Sequence, residues 1–72
     1  MRNLWEDKVE SAAYWMWRQY AGSTGIASLD APFAGNAEEC IAALYRQSGE
    51  LEMDSAMLRE AVERFTARVE GR

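Results

Sequence analysis

The 72-residue chain carries 12 Asp+Glu against 8 Lys+Arg, a net charge of −4, with one cysteine and no histidine. An internal disulfide, the commonest zinc ligand sets and Ser-His-Asp or Cys-His nucleophile systems are thereby excluded, and the acidity opposes free-standing binding to nucleic-acid phosphates or anionic membranes. A domain this small buries only about 60% of the surface its extended chain exposes, so oligomerisation or partner binding is the remaining way to reinforce a marginal core.

Asn3, followed three residues later by Glu6, forms a capping box that predicts a helix over about 4–21, with Gly22 as a left-handed stop. Trp5, Val9, Ala12, Ala13, Met16 and Tyr20 fall within an arc of about 100° on that helix, the expected core face. Leu4 and Trp15 lie on one shoulder; Tyr14, Trp17 and Ala21 lie on the other, interleaved with Glu6 and Glu10. Trp15 and Trp17 leave the helix about 160° apart, too far for one small core to swallow both, so at least one ring is expected to face a partner.

The stretch from Gly22 to Gly35 is rich in turn formers and predicts a long ordered loop, pinned by Ile26, Leu29 and Phe33, with Asp30 starting one helical turn at Ala31-Pro32. Its Gly22-Ser23-Thr24-Gly25 resembles a phosphate-cradling loop only superficially, because it follows a helix and no basic residue lies close after it. Asn36 with Glu39 is a second capping box, predicting a short helix over about 37–48 that Gly49 ends, with Cys40, Ile41 and Leu44 on its buried stripe. Glu50-Leu51-Glu52-Met53-Asp54 reads as an acidic linker, and Asp54 caps a third helix over about 55–70. Met57, Leu58, Ala61, Val62, Phe65 and Val69 form its apolar stripe, while Arg59 with Glu63 and Glu60 with Arg64 pair along its solvated side. No strand pattern, internal repeat or extended heptad run competes.

Catalysis is not expected. Glu38 and Glu39 are adjacent and diverge, and acidic residues in a first turn simply complement the helix dipole. Cys40 faces inward by periodicity, as an inert thiol. The second and third helices could be taken for a helix-turn-helix presenting Arg59, Arg64 and Arg68, but Glu50, Glu52 and Asp54 crowd the start of the reading helix and would repel phosphate.

The expectation is a single all-α domain over residues 1–72, a small three-helix bundle whose first and third helices pack antiparallel while the second closes one end. Its expected role is non-catalytic protein binding, without cofactor or metal, through Glu6, Glu10, Tyr14, Trp15, Trp17, Glu50, Glu52 and Asp54. Tryptophan and tyrosine supply the anchors, and the carboxylates suit a larger, basic partner. The sharpest form is an inhibitor or modulator of a nucleic-acid-handling protein, of the sort phages and mobile elements encode. A structural or assembly subunit forming a homo-oligomer through the same aromatic face is the first alternative, and a degenerate helix-turn-helix regulator the second. No apolar run approaches the roughly 20 residues that span a bilayer, and Met1-Arg2-Asn3-Leu4 leads into acidic residues instead of a signal-peptide core, so a soluble, cytoplasmic bacterial or phage-encoded protein is expected.

Overall fold

Capping chemistry sets where each helix begins. The computed structural model describes residues 3–22 and 35–71, which form α1 (Leu4–Ala21), α2 (Ala37–Leu51) and α3 (Ser55–Val69). Asn3 accepts the Glu6 N–H at 2.7 Å, Asn36 that of Glu39 at 3.1 Å and Asp54 that of Met57 at 2.9 Å, so every start is held by a side-chain oxygen where the first-turn amides lack helical acceptors. Gly22 adopts φ 81° after α1 and donates to the Arg18 carbonyl. The architecture is the expected all-α arrangement. The anchors Ile26, Leu29 and Phe33, the turn at Ala31-Pro32 and the Ser23-Thr24-Gly25 run lie outside the described residues.

The core collects Val9, Ala12 and Met16 from α1, Cys40, Ala43 and Leu44 from α2, Met53 from the turn, and Leu58, Ala61 and Phe65 from α3. Trp5 departs from its expected place: it shares the core arc yet remains 37% exposed. A helical wheel gives direction but not height. Lys8 Nζ donates to the Glu52 carbonyl at 3.1 Å, so α2 ends level with Lys8 and leaves Trp5, nearly a turn earlier, with little to pack against.

The helix directions also differ from the expected ones. At the other end of the pair the Gly35 N–H donates to the Tyr20 carbonyl at 2.7 Å, so the helix running antiparallel to α1 is α2, which lies along it instead of closing one end. Arg64 reaches Glu6 and Glu10, whereas its neighbour Phe65 meets the ring of Tyr20. Glu10 and Tyr20 stand about 15 Å apart along α1, so α3 crosses α1 obliquely and the two are not an antiparallel pair. The tight reversal at Glu52–Asp54 accounts for this, because it makes α3 depart from the end of the molecule where α1 begins.

That reversal corrects the expected end of α2 as well. The helix runs through Gly49 to Leu51, so Glu50 and Leu51 form its last turn and no free linker exists there. Glu52 takes the left-handed conformation at φ 56°, its N–H bonding the Gly49 carbonyl at 3.2 Å, while the Met53 N–H bonds that of Ser48 at 3.1 Å. These paired bonds are a Schellman motif with glutamate in the position glycine usually fills. Stopping at Gly49 would satisfy local preference. Continuing for three more residues, nearly a full turn, places Met53 in the core, and its burial offsets the left-handed strain at Glu52.

Two substitutions test this ending by thermal or denaturant melting. Gly49→Ala should stabilise the fold by about 0.5–1 kcal/mol, since a Cβ there meets nothing within 4 Å and the position is helical. Glu52→Gly should stabilise by about 1 kcal/mol by removing the left-handed cost. Loss of stability in Gly49→Ala would mean that residue 49, not residue 52, terminates the helix.

Candidate protein-binding surface

On the side of α1 that faces α3, one arginine gathers three carboxylates. Glu6 and Glu10 are one turn apart on α1, and Glu60 precedes Arg64 by one turn on α3. Arg64 grips Glu6 in a two-pronged pair, Nη1 to Oε2 at 2.7 Å and Nη2 to Oε1 at 3.2 Å. Its Nε donates to Glu60 at 2.9 Å, and Nη1 also contacts Glu10. The hydrogen bonds to Glu6, then Glu60, push the guanidinium pKa further upward. The planar fork pairs two-pronged with Glu6 while its Nε serves Glu60, a geometry that a lysine, as a point charge, would not reproduce. The Glu60–Arg64 pair was expected on the solvated side of the helix, but the Arg64 side chain retains only 28% exposure and faces α1. Glu6 and Glu10, expected to greet a partner's basic residues, are thus already engaged by a cation of the same chain. One positive charge against three negative ones leaves the cluster itself acidic, although Arg68 and Arg18 stand on the same shoulder.

Beyond that cluster the same shoulder carries Trp17 and Tyr14. The Arg68 guanidinium stacks 5.3 Å from the Trp17 ring centre, and Trp17 packs on Tyr20 at 5.9 Å, which in turn meets Phe65 edge-on at 5.9 Å. Trp17 therefore belongs to a ring row leading into the core. Tyr14 remains 53% exposed, with Arg18 at 5.9 Å from its ring.

Trp15 goes the other way. It is half-buried in an open cleft of about 480 Å³ between α1 and α2, whose walls include Lys8, Ser11 and Ala12 of α1, Leu44, Gln47 and Leu51 of α2, and Met53. The divergence of Trp15 and Trp17 is real, but α2 flanks one shoulder of α1 and α3 the other. Each takes one ring halfway, so neither tryptophan stands fully outward. Leu51 at the cleft is 41% exposed, and Leu4, one turn before Lys8, is 69% exposed.

The acidic residues of the turn have separate duties. Glu50 is exposed in the last turn of α2, Glu52 holds Lys8 through its carbonyl and, at 3.7 Å, its carboxylate, and Asp54 caps α3. The eight residues singled out from sequence therefore divide between two faces: Glu6, Glu10, Tyr14 and Trp17 towards α3, and Trp15, Glu50, Glu52 and Asp54 towards α2 and the turn. Sequence reasoning missed Lys8, Gln47 and Leu51 as cleft residues. Lys8 shares a helical stripe with Leu4, Ser11 and Trp15, a signal available in the sequence; its bond to Glu52, 44 positions away, has no local signature.

Cys40 is fully buried, and burial first, then the neighbouring Glu39 carboxylate, push its thiol pKa upward. Among the described residues, no group of three His, Cys, Asp or Glu is placed to hold a metal ion, and no helix is long and apolar enough to cross a membrane. Comparison with known protein families, curated proteins and solved structures gives no match to this chain.

Arg64→Met should lower stability by about 1–2 kcal/mol, a discounted figure because the cluster is partly solvated, and the deficit should shrink towards zero near 1 M salt as repulsion among the stranded carboxylates is screened. Denaturation at graded salt measures it. For Cys40, thiol reagents should react slowly with the native protein and rapidly in denaturant. Because the folded thiol is raised, its contribution to stability is complete below the ordinary value of 9.0 and is lost as pH rises beyond it, where the unfolded chain ionises first.

Proposed function

We propose that this chain is a non-catalytic protein-binding module, a small acidic inhibitor or modulator that docks α1 and its neighbours onto a larger, basic protein such as a nucleic-acid-handling one. The observation that carries the reading is the apolar surface α1 keeps in water even after both flanking helices have packed: Leu4, Trp5 and Tyr14 remain 69%, 37% and 53% exposed. Large rings held partly in place and flanked by carboxylates are what binding surfaces use as anchors, with charge steering the encounter. The net charge of −4 and the unbalanced carboxylates around Arg64 favour a basic partner over an acidic one. A subunit that assembles with its own copies would use the same residues, and concentration dependence separates the two: a modulator keeps one mass on dilution until its partner arrives.

The test is affinity capture from the source cell, in parallel with sedimentation at several concentrations. Wild-type protein should retain a partner that Tyr14→Ala or Leu51→Asp protein retains less well, each variant having a melting temperature close to wild type. With that partner isolated, association should slow several-fold between low and physiological salt while dissociation changes little. Failure to capture any partner, together with a single monomeric mass at all concentrations, would remove the reading.

A further inference from the structure

We draw no further inference here: the strongest candidate, the open apolar cleft between α1 and α2, has Asp7 and Lys8 on its lining, whose charges cancel, and nothing in the structure shows what covers it.

Discussion

α1 is packed from two sides, and the rest of the molecule depends on that double engagement. Val9, Ala12 and Met16 form its buried centre, α2 closes on the shoulder carrying Lys8 and Trp15, and α3 crosses over the shoulder carrying Glu6, Glu10 and Trp17. A helix apolar around so much of its circumference has more surface to cover than one packing partner reaches. Flanked on both shoulders, it gives α2 and α3 a shared surface, so that Val9, Ala12 and Met16 join three buried residues from each neighbour in one core. The two tryptophans fit the same scheme: their divergence, which no single contact surface could accommodate, becomes one half-buried ring per neighbour.

The polar contacts fix how those neighbours sit. Each flanking helix is tied to α1 by a cation whose partners come from distant parts of the chain: Lys8 to Glu52 on the α2 side, Arg64 to Glu6 and Glu10 on the α3 side. Neither is worth much as a solvent-screened charge pair. Their geometric content is larger. The two-pronged Arg64–Glu6 pair restricts both position and rotation of α3 on α1, which apolar contact among Ala12, Ala61 and Phe65 does not specify alone. Arg64 also reduces the repulsion that three converging carboxylates would exert on one another.

How legible this was in the sequence depends on the range of the cause. Asn3, Asn36 and Asp54 mark the helix starts because a cap acts within three residues, and Gly22 marks a stop for the same reason. The end of α2 differs from its local signal because the deciding gain is tertiary. Gly49 is the better local terminator, yet Met53 reaches the core only if Glu52 accepts the left-handed position. The apolar stripes point to Val9, Ala12, Met16, Cys40, Leu44, Leu58, Ala61 and Phe65, all of them core, but they miss Ala43 and Met53. They also include Tyr20, Ile41, Met57, Val62 and Val69, which are only partly buried, and Trp5, whose height along α1 a helical wheel does not show. Helical i,i+4 spacing pairs Arg64 with Glu60, and that bond is present. The other partners lie more than fifty positions away in sequence, where periodicity has nothing to say. Of the binding candidates, the aromatic ones were recognisable from residue type and the wheel, whereas Lys8, Gln47 and Leu51 became cleft residues only through the antiparallel register of α1 and α2.

The half-burial of Trp15 bears on where binding energy would concentrate. A side chain that is loose in the free protein loses rotamer freedom on docking, at about 0.5–1.5 kcal/mol each for flexible ones, and this opposes the area it buries. Leu4 is largely unsupported in this sense. Trp15 is different: one side of the ring is already held in the packing of α1 against α2, so a partner covering the other side gains contact at little further ordering cost. The same holds for Trp17, but Arg68 and Tyr20 already cover it, so a partner would have to displace a cation before reaching the ring. Preorganisation and access therefore coincide at Trp15 and separate at Trp17, so a partner of the proposed kind would gain more from the ring on the α2 side of α1 than from the one on the α3 side.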